Sequence, residues 1–358
     1  MERFLFIVPN LDLGGTEMVV MLYFRHLQLP IDFVVHGNEG YFEGQARNAG
    51  AKIYRVPTRK AGLWRNIRKM RQLYKQHPEY QTVIICTEHS FAFIELAVAW
   101  FSGVRTRGAW SHFSDYQGAS RLKRVLHFLT RPLMRVFGNF FLACSTEAGS
   151  WLFGKKVLHD KRFHVVKNAI DVSRFTFNPE ARLKKREALG LNDHFVIGMV
   201  GRITAVKNHA FALSVFEKLQ ALSPTPTTLL IIGDGEEKDN LKTYAPENVI
   251  FTGAVNDPHH YYPAFDVLLL PSLHEGFPVV AVEGQAAGLP VIMSDTLSRE
   301  VGISSLAQYV ALKEEAWVDA ILAVQADTKR ERPREEITLI NEGYDIHVAV
   351  KGFRKLIL

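Results

Sequence analysis

Short apolar runs alternate with stretches of helical character from one end of the chain to the other. FLFIVP (4–9), IDFVVH (31–36), TVIICT (82–87), FFLACS (140–145) and HVVKN (164–168) predict strands in the first half. FVIGMVG (195–201), TLLIIGDG (228–235), VIFTGAV (249–255), DVLLLPS (266–272) and VIMSD (291–295) predict strands in the second. Runs of Val, Ile and Leu without alternation belong to strands covered on both faces, hence to parallel sheets in α/β layers. A charged helical stretch, PEARLKKREALG (179–190), precedes the second series, and the pattern restarts near residue 195. The chain therefore reads as two doubly wound domains joined around 170–192. Its last residues, GYDIHVAVKGFRKLIL (343–358), read as a closing helix and a candidate for crossing back onto the first domain.

Composition agrees with two soluble domains. The chain has 358 residues, 47% hydrophobic and 22% charged, enough for two substantial cores. A formal net charge of +6 suits an anionic partner, whether a phosphorylated metabolite, a lipid surface or a nucleic acid, without choosing among them. The two cysteines, Cys86 and Cys144, make no disulfide framework and point to a reducing compartment. MERFLFIVPN lacks the length and cleavage site of a signal peptide. The longest apolar run, FAFIELAVAWF, is too short to span a bilayer and contains Glu95. The expected location is cytoplasmic.

In open parallel α/β domains ligands bind beyond the C-terminal ends of the strands, and five stretches occupy such places. In NLDLGGTEMVV, Gly14 and Gly15 let backbone approach a ligand at a helix N-terminus, although a plain strand-to-helix turn explains them equally well. In GRITAVKNH, Arg202 and Lys207 follow a buried strand closely, and a guanidinium with an ammonium suits a diphosphate; the rival reading is two solvated cations. Gly233, Asp234 and Gly235 form a tight turn consistent with the wall of a nucleotide pocket. In PSLHEGFPVVAVEGQAAGLPVIMSD, Pro278 fits the first turn of a helix and Gly288 its end. Glu275 then precedes that helix and Glu283 lies within it, so the two carboxylates meet different parts of one extended ligand. Helix-dipole complementation alone could explain Glu275, but Glu283 sits among apolar neighbours and needs hydrogen-bond donors, for which sugar hydroxyls are suited. Finally, AWSHFSDY carries His112 in a loop after a short strand, a position equally open to a structural histidine. No CxxC, HExxH or Asp-x-Asp pattern offers a metal site, and neither a Gly-x-Ser-x-Gly elbow nor a P-loop occurs.

Together these stretches resemble the retaining glycosyltransferases of family 4, glycosyl transferases group 1, and in particular the bacterial exopolysaccharide, capsule and O-antigen enzymes. PSLHEGFPVVAVEGQAAGLPVIMSD is similar to the E-x7-E signature, GRITAVKN to the Gly-Arg…Lys diphosphate clamp, VVKNAIDVSRF to the inter-domain segment, and GGTEMVV to the glycine loop. The tail SDTLSREVGISSLAQYVAL, followed by Trp317, resembles the exopolysaccharide subgroup. The resemblance covers essentially the whole chain.

It implies a GT-B fold, α/β, with two doubly wound Rossmann-like domains facing each other across a cleft. An acceptor domain would span 1–175, joined by 343–358, and a nucleotide-sugar domain 176–342. It further implies that Arg202 and Lys207 hold the donor diphosphate and stabilise the leaving group. Glu283 would bind the ribose, and Glu275 would face the transferred sugar. Backbone around Gly276, Phe277 and Pro278 would contact sugar or phosphate, with Gly233 and Gly235 lining the donor site. His112 would lie near the reacting sugar and Gly15 near the phosphates. No cofactor or metal is implied.

Two departures fall at positions that, by the resemblance, would face the acceptor half of the cleft. Cys86-Thr87-Glu88 stands where many relatives carry His-x-His, and Trp110 where a histidine aligns. The expected reaction moves a sugar from a nucleotide-diphosphate sugar, with UDP the expected nucleotide, to a hydroxyl of a glycan, polyprenyl-diphosphate-linked in surface polysaccharide synthesis.

Two stretches, 59–77 and 121–138, mix Arg and Lys with Trp, Leu, Phe and Val. Each predicts either a helix on an anionic membrane surface or the solvated face of an ordinary domain helix. Rival activities are a nucleotide-sugar epimerase on the same architecture, or a phosphorylase, for which no pyridoxal-binding lysine is identified. Nucleic-acid binding is motivated by net charge alone and lacks a motif, so no nucleic-acid partner is expected.

Overall fold

The computed structural model describes residues 3–12, 14–113, 120–327 and 331–358. The chain divides into two compact units, one of Met1–Ala169 with Ile346–Leu358, the other of Ile170–Asp345.

Unit 1 contains β1 (Arg3–Val8), α1 (Gly15–Leu27), β2 (Ile31–Val35), α2 (Glu43–Asn48), β3 (Ile53–Arg55) and α3 (Arg59–Gln76). It continues with β4 (Tyr80–Cys86), α4 (Phe93–Phe101), β5 (Thr106–Ser111), α5 (Arg121–Phe137), β6 (Phe140–Ala143), α6 (Thr146–Phe153) and β7 (Phe163–Val165). Unit 2 contains α7 (Pro179–Leu189), β8 (Phe195–Val200), α8 (His209–Leu222), β9 (Thr227–Ile232), α9 (Lys238–Lys242) and β10 (Val249–Phe251). After these come β11 (Val267–Leu270), α10 (Val279–Ala286), β12 (Val291–Ser294), β13 (Ala307–Val310), α11 (Glu314–Ala326) and α12 (Glu336–Asn341). A last helix, α13 (Ile346–Ile357), belongs to unit 1.

Each unit is built on one parallel sheet, ordered β3-β2-β1-β4-β5-β6-β7 in unit 1 and β10-β9-β8-β11-β12-β13 in unit 2. The order runs outward from the first strand and then reverses, so each sheet has a switch point at its first strand: between β1 and β4, and between β8 and β11. The central strands are apolar on both faces because helices cover both. Leu5, Ile7, Val83 and Ile85 pack in one core; Ile197, Met199, Leu229, Ile231 and Leu269 pack in the other.

Sequence reading put the domain limits at 175 and 342; the division falls at 169/170 and 345/346. Ile170 sets both ends, forming a parallel bridge to Asp345 and donating its N–H to the Tyr344 carbonyl at 2.9 Å. Helix α13 packs on α1: the Phe353 ring lies 5.4 Å from Tyr23 and 5.2 Å from Trp110. The Tyr23 hydroxyl donates to the Lys167 carbonyl at 2.7 Å, tying α1 to the end of the unit.

Candidate active site

In unit 2 the loops after β8, β9 and β11 come together at the switch point. Gly201 leaves β8 with φ +139 and donates to the Ile232 carbonyl, while the Ile203 N–H donates to Asp234 (both 2.9 Å). The loops touch so closely that a Cβ on Gly233 would stand 1.9 Å from the Gly201 oxygen, and one on Gly235 2.2 Å from the Ile203 oxygen. These two glycines are thus required by neighbouring backbone, quite apart from any ligand. What they fix is the turn that carries Arg202, which is exposed to solvent.

Lys207 lies in the 3-10 turn Ala205–Lys207 that leads into α8. Two bonds connect this region to the loop after β11, Leu273 N–H donating to Val206 (2.9 Å) and the Asn208 amide to Pro271 (3.2 Å), and Thr296 Oγ1, after β12, donates to Leu273 (3.1 Å) in the same loop. They bring the Lys207 ammonium to 2.5 Å from the Glu275 carboxylate, and Ser272 Oγ donates to the same oxygen at 2.7 Å.

Glu283 lies inside α10. That helix starts after Pro278 and ends in a Schellman motif, with Gly288 at φ +66, its N–H on Gln285 and the Leu289 N–H on Gly284. Gly284 brings the helix onto the sheet, since a Cβ there would meet Leu268 at 2.5 Å. Glu283 is 8% exposed. Its carboxylate accepts a hydrogen bond from the buried Tyr262 hydroxyl, so a protein group supplies one of the donors expected from sugar hydroxyls. Burial pushes the Glu283 carboxyl up to about 7, against the opposing pull of the Tyr262 bond and of the Arg174 and Lys207 charges. Burial likewise drives the Tyr262 phenol well above its ordinary range. Gly276 and Pro278 are buried, and the Phe277 ring stacks on Tyr344 at 5.7 Å. The Phe277 side chain therefore anchors the loop, and only its backbone remains for a ligand.

Tyr262, Ser272 and Arg174 escaped sequence analysis. The signal for Tyr262 was indirect: a carboxylate among apolar neighbours requires a donor, but nothing in HHYYPAFD says which aromatic turns inward.

In unit 1, a Cβ on Gly14 would collide with the Glu17 carboxylate at 2.2 Å, whereas one on Gly15 would meet nothing within 4 Å among the described residues. The described residues thus give a reason for Gly14, the Glu17 carboxylate beside it. Leu13 of this loop, and Ser114, Asp115 and Tyr116 of AWSHFSDY, lie outside the described residues.

His112 follows β5 and is 4% exposed, and among the described residues neither ring nitrogen has a partner at hydrogen-bond geometry. Burial lowers its pKa to about 4, partly opposed by the nearby Asn168 side chain, whose oxygen is also unpartnered. Burial thus keeps the imidazole neutral, able to donate from one nitrogen and accept at the other.

One expectation is corrected. Cys86 and Trp110, taken to face the acceptor, are 3% and 0% exposed. They pair across β4 and β5, and Trp110 packs between Tyr23 and Phe353. Apolar side chains at these two positions complete the core.

Residues 194–327 match the family model of the glycosyl transferases group 1. Over 359 aligned residues the chain is 30% identical to EpsF of Bacillus subtilis (strain 168), named for a glycosyltransferase, covering 96% of this chain and 93% of that one. A shorter match, 32% over 142 residues and 37% of each chain, is to an Escherichia coli UDP-Gal:alpha-D-GlcNAc-diphosphoundecaprenol alpha-1,3-galactosyltransferase. Among solved structures, Anabaena Alr3699/HepE in complex with UDP and glucose superposes with a TM-score of 0.80, at 16% identity and 99% coverage of both chains. With its two parallel sheets and this full-length relationship, the chain belongs to the glycosyl transferases group 1 and is a glycosyltransferase of GT-B fold.

Proposed function

We infer that this glycosyltransferase moves a sugar from a UDP-sugar to a hydroxyl of a glycan carried on polyprenyl diphosphate, in synthesis of a bacterial surface polysaccharide. The observation that carries the donor half is the group in unit 2: Lys207 on Glu275, with the Lys207 charge also felt at the buried Glu283. A diphosphate takes Lys207 and Arg202, a ribose the Glu283 carboxylate, and the sugar Glu275. In the free enzyme Glu275 neutralises Lys207; an arriving diphosphate offers that ammonium more negative charge and releases Glu275 for sugar hydroxyls. The UDP bound to HepE supports the base, and the lipid-linked substrate named for the E. coli relative supports the acceptor.

Transfer proceeds with retention. The C1–O bond to the diphosphate breaks, and the acceptor oxygen bonds C1 from the same face. Its proton passes to the departing diphosphate, so the products are UDP and the glycoside. Arg202 and Lys207 stabilise the charge growing on the leaving group, a role that in other enzymes falls to a metal. His112, buried and neutral in unit 1, is assigned to hydroxyls of the transferred sugar. The enzyme works at the cytoplasmic face of the membrane, where its acceptor is held.

Arg202→Ala and Lys207→Ala should each reduce turnover by a factor of at least about 100, equivalent to ~3 kcal/mol of leaving-group stabilisation, with unchanged circular dichroism. Wild-type activity should persist in excess chelator. Turnover retained in both variants would remove the diphosphate assignment, and sugar isomerisation with donor alone would favour the epimerase.

A further inference from the structure

We propose that Arg332 is a positioning residue for the donor site, a brace that joins the end of α10 to the turn carrying Tyr262 and so sets the contact between Tyr262 and Glu283. Arg332 lies in the segment between α11 and α12, which crosses the end of α10 closely. A Cβ on Gly288 would stand 2.6 Å from the Pro333 oxygen and 3.3 Å from the Arg332 Cβ. From there the guanidinium reaches two elements at once. Its Nη1 donates to the carbonyls of Tyr262 and Ala287 (both 3.4 Å), and its Nη2 to those of Pro263 (3.1 Å) and Phe265. The Phe177 ring lies 4.2 Å from the guanidinium carbon and supports the plane of the fork.

These bonds close a ring. Tyr262 opens the 3-10 turn Tyr262–Ala264, and its hydroxyl donates to the Glu283 carboxylate. Ala287 caps the end of α10 and donates its N–H to the Glu283 carbonyl at 2.9 Å. Arg332 joins the backbone of Tyr262 to that of Ala287 and completes the path. Both residues are buried, so water is poorly placed to replace the guanidinium at their carbonyls. Arg182 and Arg186 of α7 hold the same turn, donating to Pro263, Ala264 and Phe265, and pair with Asp266 just before β11. Of the three arginines it is Arg332 that also bonds to the end of α10. The consequence falls on Glu283. Tyr262, Arg174 and Lys207 all favour its ionised form, and the Tyr262 part is a hydrogen bond, which weakens steeply as donor and acceptor leave their alignment. Releasing α10 from the turn should weaken that bond and raise the pH at which Glu283 ionises. The effect on UDP rests on the ribose reading of Glu283 given above; the brace itself does not.

The test follows the Glu283 carboxyl by carbon NMR in full-length, glutamate-labelled protein without UDP, its resonance assigned with Glu283→Gln. Arg332→Lys keeps the charge but lacks the fork that spans two elements. It and Arg332→Ala should each raise the Glu283 midpoint by about half a pH unit, and UDP affinity at neutral pH should fall about twofold with it. In a Tyr262→Phe background neither substitution should move the midpoint further, because the bond through which it acts is gone. An arginine that only stabilised the fold would lower the melting temperature and leave the midpoint in place, and that result overturns the proposal. So does a wild-type midpoint in Arg332→Lys, which would leave only the charge acting, or a shift that adds in full to that of Tyr262→Phe. If the midpoint moves as expected and UDP affinity does not follow, the ribose assignment fails and the brace stands.

Discussion

Glu283 carries a cost that its packing role does not explain. Its carboxyl has an ordinary value of 4.5 and stands at about 7 in the folded protein. Between those values the folded state holds a proton that the unfolded chain has released. Glu283 therefore favours folding below about pH 4.5, and that contribution is lost as pH rises through 7. A ribose is held better by the opposite form, since the carboxylate offers both oxygens as charged acceptors to two hydroxyls, whereas protonation turns one of them into a donor. Stability and UDP affinity should thus move in opposite directions across pH 6–8, and Glu283→Gln should flatten both profiles. Tyr262 sharpens the test. Its hydrogen bond favours the ionised form, so Tyr262→Phe should move the midpoint of UDP affinity upward by about one pH unit, the equivalent of one charge-assisted hydrogen bond. Titration calorimetry against pH reads this directly. A Tyr262 that served only to pack would weaken binding at every pH and leave the midpoint in place.

At the scale of elements, the placing of Glu275 and Glu283 depends on α10 lying tight on the sheet. Gly284 permits this, with Leu268 and Val291 at 2.5 and 2.9 Å from where a Cβ would be. Gly284→Ala should overpack that contact, costing ~1–3 kcal/mol and lowering UDP affinity because the helix that carries Glu283 is displaced. Melting temperature with and without UDP separates the two effects. The same packing explains what could be read from the chain beforehand. Central strands such as β8, β9 and β11 are covered on both faces and stood out as continuous apolar runs. The edge strands β3 and β13 are half-exposed, IYR and AQYV, and carry no such run, so neither was anticipated. At Cys86 and Trp110 the sequence position was legible but its direction was not. A strand turns alternate side chains to opposite faces, and composition does not say which face meets a ligand. Arg202, Lys207 and Glu275 stood out as candidates because charge close after a buried strand is unusual, and Glu283 because it is a carboxylate among apolar neighbours. Tyr262 did not, because a buried tyrosine resembles any other core aromatic.

At the scale of the molecule, the chain returns to its first unit only with its last helix. Unit 2 ends at Asp345, in the bridge to Ile170, and α13 then adds Ile346, Val350, Phe353 and Ile357 to the unit 1 core. Phe353 closes an aromatic cluster with Tyr23 and Trp110. Trp110 is two residues from His112, whose ring lies 4.5 Å away. The C-terminal helix therefore supports the residue assigned to the sugar, although it lies far from it in sequence. Phe353→Ala should cost unit 1 ~3–5 kcal/mol, seen as faster amide exchange in α1 and β5, while exchange in β8, β9 and β11 and stabilisation by UDP persist. Turnover should nevertheless fall, because the Trp110 ring against which His112 packs loses its support. Loss of UDP stabilisation in this variant would mean that the donor residues of unit 2 depend on α13, and that the units do not hold their ligands separately.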